Sequence, residues 1–155
     1  MDSPQNHIWG PHLWIILHSA AEQIGQAKLN KLTLEETRIW SGLLASLRYS
    51  LPCPACKKHY TEFVNLNPIT AIIRDSVRLW LYTLHYQVND RTNKNNSVVF
   101  EELGEVYGKP FNFTHHLNIV KDQMGKAVSL GWSSRFDVQR SLRFFEELKR
   151  LYDLF

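Results

Sequence analysis

The chain has two cysteines, separated by two residues: Cys53-Pro54-Ala55-Cys56, with His59 one helical turn further on. With no other thiol the pair cannot belong to a disulfide scaffold. Redox chemistry, metal binding and chance spacing remain. One turn of helix brings sulfurs at this spacing within bonding reach. Pro54 suits the first position of a helix, which makes Cys53 its N-cap. A thiolate there faces the positive end of the helix dipole, so its pKa falls and it reacts near neutral pH.

A second set of residues suggests a pocket. Trp14 and His18 share one helix face, as do His85 and Asn89, with Trp80 a turn earlier and Val88 between them. Taken singly, each is an ordinary packing residue. Together, indole, imidazole and amide groups on two helices can line a flat cavity for an aromatic cofactor, stacking on its rings and bonding its polar edges.

The elements that must position these groups are helices. At 155 residues the chain is most simply one domain with a real core. Pro11 opens a first helix to about Gln26, with Leu13, Trp14, Leu17, His18 and Ala21 on one stripe. Thr33 and Glu36 form a capping-box pattern for a second helix reaching Tyr49. A third runs from Pro54 to about Asn65, and a fourth from about Ser76 to between Asn89 and Lys94. A short fifth fits Glu101–Tyr107, and two more follow Gly108-Lys109-Pro110, over about Thr114–Leu130 and Arg135–Phe155. The last carries Phe144, Phe145, Leu148, Leu151, Tyr152 and Phe155 at helical spacing, an apolar face that must be buried. Val98-Val99-Phe100 is too short to build a sheet. Without βαβ alternation, the CxxC does not fit a thioredoxin-like reductant.

Bulk composition narrows the function. The net charge is +3 and the basic residues are scattered, which argues against nucleic acid as a partner. No apolar run approaches membrane-spanning length, and the polar start lacks a signal-peptide core, so a soluble protein made in the cytosol is expected.

In order, Trp14-x-x-Leu17-His18, Pro52-Cys53-x-x-Cys56-x-x-His59 and Trp80…His85-x-x-Val88-Asn89…Lys94 resemble the Erv/ALR family of FAD-dependent sulfhydryl oxidases. The resemblance covers Trp9 to Tyr107, about two-thirds of the chain. The Trp9-Gly10-Pro11 opening, the Ser50-Leu51-Pro52-Cys53 lead-in and the lack of further cysteines are most like the short members encoded by large cytoplasmic DNA viruses.

The resemblance implies an all-α fold: a four-helix bundle with a short fifth helix, holding FAD at its mouth. The oxidase bundle would span residues 1–107, and residues 108–155 would form a helical extension packed on it or at a dimer interface. Cys53 would be the outer sulfur attacked by a substrate thiolate, and Cys56 the sulfur beside the flavin. Trp14, His18, His59, Trp80, His85, Val88, Asn89 and Lys94 match cofactor-binding positions. Gly10 and His12 fall at the start of the first flavin-contacting segment, and Tyr107 matches an aromatic of the fifth helix. Pro11 stands where cellular members often have Arg, Tyr86 where they have Asn, and Tyr82 where they often have a structural Cys.

The implied reaction is dithiol plus O2 to disulfide plus H2O2. Without a second CxxC, electrons would enter Cys53 directly from a dithiol protein or a thioredoxin- or glutaredoxin-like partner. A homodimer follows from the family, as does action in the host cytoplasm or a viral factory, with packaging in virions, ahead of the mitochondrial intermembrane space. The rivals are a structural zinc site on Cys53, Cys56 and His59, with His115 or His116 as fourth ligand, and a helical interaction module whose cysteines are incidental.

Overall fold

Helix α1 spans Asn6–Ala21 and so begins a turn and a half before Pro11, the residue that marks its start in the sequence. Proline's fixed φ is helical, but inside the helix it forfeits the bond to the His7 carbonyl and its ring crowds that carbonyl. The earlier start is set from outside the helix. Gln5, the N-cap, donates its N–H to Oε1 of the buried Gln123, 2.7 Å away, and its carbonyl accepts from Ile8 and Trp9. Burial of Trp9 in the core fixes the same turn. The helix also stops earlier than Gln26, in a turn closed by Gly25 at φ +83°.

The computed structural model describes residues 2–26 and 32–155. After α1 come α2 (Leu32–Ser50), α3 (Pro54–Leu66), α4 (Arg74–Arg91), a 3-10 turn (Phe100–Glu102), α5 (Leu103–Tyr107), α6 (Phe113–Ser129) and α7 (Arg135–Leu151). The described residues are all-helical, with no strand. The expected capping box is absent, because Thr33 lies inside α2. Glu36 turns inward instead. Its Oε2 accepts the Tyr152 hydroxyl at 2.6 Å and the Gly25 N–H at 3.2 Å.

Packing runs in a chain of neighbours: α4 on α1, α1 on α6, α6 on α7, α7 on α2, and α2 on α3. The two C-terminal helices therefore share the core. Phe113, Val120, Met124, Phe145 and Leu148 are fully buried in one cluster with Ile16, Trp40, Leu43 and Leu81. Each such side chain contributes about 1.5–3 kcal/mol by leaving water. Gly42 lets α7 approach α2 closely, since a Cβ there would overlap the Phe144 ring.

Polar ties fix the register of α7 on α2. Ser141 Oγ lies 2.7 Å from both Ser46 Oγ and Ser50 Oγ, all three buried. Ser46 gives its proton to the Leu43 carbonyl, so Ser141 donates to Ser46 and accepts from Ser50. At the end of α7, Trp40 Nε1 donates to the Tyr152 hydroxyl at 2.9 Å, which donates on to Glu36. Arg78 of α4 pairs with the buried Glu22 at 2.6 Å, joining α4 to the end of α1.

Candidate functional site

Pro54 is the first residue of α3 and Cys53 is its N-cap, in extended backbone at φ −162° and ψ 119°. The Cys56 N–H donates to Cys53 Sγ at 3.2 Å, the bond that an N-cap side chain accepts. Asn6 Nδ2 of α1 lies 3.8 Å from the same sulfur. The two cysteines are joined in a disulfide with Cα atoms 5.1 Å apart, and both are half-buried. The disulfide ties up the thiolates that a zinc site on Cys53, Cys56 and His59 requires.

This disulfide forms part of the wall of a cavity of about 570 Å³. Its volume lies within the roughly 300–1,000 Å³ typical of small-molecule sites. Most of the residues singled out in the sequence line it. Gly10 and Trp14 come from α1, Cys56 and His59 from α3, and Trp80, His85, Val88 and Asn89 from α4. Lys94 and Tyr107 close it from the segments after α4. Trp14 and His85 stack face to face, with centroids 4.0 Å apart and planes 7° from parallel. Trp80 donates its indole N–H to the Asn67 carbonyl at 2.7 Å, so it presents a ring rather than a donor.

Two of the expected residues do not line the cavity. His18 is buried behind His85, with Nε2 3.0 Å from His85 Nδ1, and stacks on Tyr107 at 4.6 Å. One of these nitrogens carries the shared proton and the other accepts it. His12 turns the opposite way, toward α6, and its Nδ1 lies 2.8 Å from His116 Nδ1. His115 and His116 thus meet His12 rather than the cysteines as a zinc set would need.

Several cavity residues escaped the sequence reading. Asn6 and Trp9 precede the expected start of α1. Arg91 and Thr92 extend the α4 face to its end. Leu84 carried a usable signal, one turn from both Trp80 and Val88. Tyr60, whose hydroxyl donates to the Leu44 carbonyl at 2.5 Å, lines the wall from α3.

The electrostatics divide the cavity. Burial, reinforced by His85, lowers the His18 pKa to about 3. Burial, reinforced by Lys94, lowers that of His85 to about 4. Both imidazoles are therefore neutral near pH 7 and act as hydrogen-bonding groups, not cations. Positive charge comes from Arg91 and Lys94, around the end of α4. Aromatic walls with cations at one end suit a ligand with a flat ring system and an anionic group.

The Erv1 / Alr family profile matches residues 11–106. The chain belongs to this family. An FAD-linked sulfhydryl oxidase of African swine fever virus is 26% identical over 133 residues, covering 81% of this chain and 97% of the relative. A putative FAD-linked sulfhydryl oxidase of frog virus 3 is 30% identical over 101 residues, covering 64% of this chain and 66% of the relative. The rice FAD-linked sulfhydryl oxidase ERV1 is 28% identical over 85 residues, covering 55% of this chain and 42% of the relative. No solved structure matches. The Erv1 / Alr match ends inside α5. The alignment with the swine fever relative, at 81% of the chain, covers more than residues 1–107 can supply and so reaches into the C-terminal helices.

Proposed function

We propose that the chain is an FAD-linked sulfhydryl oxidase that forms disulfides in partner proteins through the Cys53–Cys56 pair. The observation that carries this reading is a redox-capable disulfide in the wall of an aromatic cavity. The viral relatives and the Erv1 / Alr membership support the same reading.

The cavity fits FAD. Trp9 is on its wall, and its buried indole N–H has no hydrogen-bond partner in the structure. Trp14, His85 and Trp80 offer flat surfaces for a planar ring system. Arg91 and Lys94 suit a diphosphate. When bound, FAD accepts the electron pair of the Cys53/Cys56 dithiol and passes it to O2, giving H2O2.

The chain's own groups perform the thiol exchange. A substrate thiolate attacks Cys53 Sγ, and the bond to Cys56 breaks, leaving Cys56 as thiolate and substrate joined to Cys53. The second substrate thiolate then attacks the substrate sulfur and expels Cys53. The departing Cys53 thiolate accepts the Cys56 N–H and faces the N-terminus of α3, which lowers its basicity and speeds departure. The product is the substrate disulfide, and the enzyme holds the electron pair as its reduced dithiol. Behind the wall, His18 fixes the ring and tautomer of His85.

The substrate is thus a dithiol protein or a thioredoxin-like partner, with O2 as final acceptor. The viral relatives support action in an infected cell, and the family resemblance implies its cytoplasm or viral factories, with packaging in virions. The family resemblance supports a homodimer, with residues 1–107 holding the cofactor and residues 108–155 bracing them. Light scattering on the purified protein reads the oligomer directly.

The absorbance spectrum tests the function. A yellow protein that bleaches with dithiothreitol and produces peroxide in air is expected. Cys56→Ser should stay yellow and lose activity. A protein that stays colourless after refolding with FAD would overturn the reading.

A further inference from the structure

Beyond the oxidase chemistry, we propose that His12, His115 and His116 form a binding site for a divalent transition metal of the zinc class, clasping α1 to α6. One candidate ligand atom from each ring lies within 4.8 Å of the other two. The His12 and His116 Nδ1 atoms are 2.8 Å apart, a hydrogen-bond distance. Two nitrogens on a tetrahedral zinc, each at roughly 2.0–2.1 Å, stand about 3.3 Å apart. A small opening of the pair therefore admits the ion.

Three imidazoles select the class of ion. They suit zinc, copper or nickel, whereas magnesium and calcium require oxygen donors. His12 and His116 are half-buried and His115 is exposed, so the protein supplies three ligands and solvent the fourth.

The scaffold holds the rings in place. Asn112 caps α6 by accepting the His115 N–H at 3.0 Å, which fixes the turn bearing both histidines. Phe111 lies against the His116 ring, centroids 6.3 Å apart and planes 28° from parallel, and restricts its rotation. His12 is two residues from both Gly10 and Trp14 yet does not line the cavity. The metal site is therefore separate from the flavin site, and its effect is to join the C-terminal helices to α1.

The test uses the full-length protein with its disulfide intact and no added reductant, so that the cysteines cannot ligate. Zn2+ is titrated by calorimetry and Co2+ by visible absorbance. One equivalent, a tetrahedral Co2+ band and a Zn2+-dependent rise in the unfolding midpoint are expected. His115→Ala removes an exposed ring and should fold. Its affinity should fall by more than the roughly 10–100-fold that losing an outer hydrogen-bond partner of a ligand costs. His12→Ala should behave alike, and His7→Ala should bind normally. Absence of binding to the unmodified protein, or equal binding by His115→Ala, would overturn the proposal.

Discussion

His18 Nε2 and His85 Nδ1 lie 3.0 Å apart, in the middle of a four-ring ladder. Tyr107 stacks on His18 and Trp14 stacks on His85. The ladder joins α5, α1 and α4 behind and along the cavity. Its order depends on the neutrality of both imidazoles, because two imidazolium ions at this distance would repel in a buried setting.

Acid should therefore loosen the site. In the folded chain His18 titrates at about 3 and His85 at about 4, against 6.5 when unfolded. The unfolded chain binds more protons in between, so stability is full above pH 6.5 and falls as pH drops toward 4 and then 3. Urea midpoints across this range should decline. His18→Gln, which keeps a neutral hydrogen-bonding side chain, should flatten the decline. An unchanged slope in that variant would count against the ladder as its source.

Cys53 caps α3, and in the proposed mechanism it also exchanges disulfides. Serine keeps the cap. Cys53→Ser should lose all turnover while its stability matches that of reduced enzyme. Cys53→Ala should lose turnover and about 1 kcal/mol besides. Equal stabilities for the two variants would show that the Cys56 N–H gains nothing from its acceptor.

Tyr152 ties the end of α7 to α2. Tyr152→Phe orphans the Trp40 N–H and takes a donor from the buried Glu36. The expected cost is about 1–3 kcal/mol in chemical unfolding. Turnover at low temperature should hold, because neither partner lines the cavity. A loss below about 0.5 kcal/mol would mean that water replaces the hydroxyl.

The start of α3 was legible because its causes are local: a proline, a capping sulfur and their spacing. The cavity face of α4 was legible from its period. What stayed hidden depends on partners remote in sequence. Gln123 sets the beginning of α1, and Tyr152 claims the carboxylate that a capping box would have used. His12 shares a helix with Trp14 but points to α6, and no single-helix pattern reports which side a neighbour will occupy. The role of the last two helices was hidden for the same reason. Lys57, beside Cys56, donates to the Trp132 carbonyl at 2.5 Å, so the turn between α6 and α7 also touches the redox helix.

The absence of any third cysteine has a consequence for the birth of the enzyme. Helices that a structural disulfide would staple are held here by Phe145, Leu148, a serine relay and a tyrosine. Nothing in that framework must be oxidised before it can form. A newly made chain can fold fully reduced, take up its cofactor and close its first disulfide with oxygen alone. Its folding therefore needs no earlier oxidant, and the sequence holds no spare thiol for disulfide chemistry to trap.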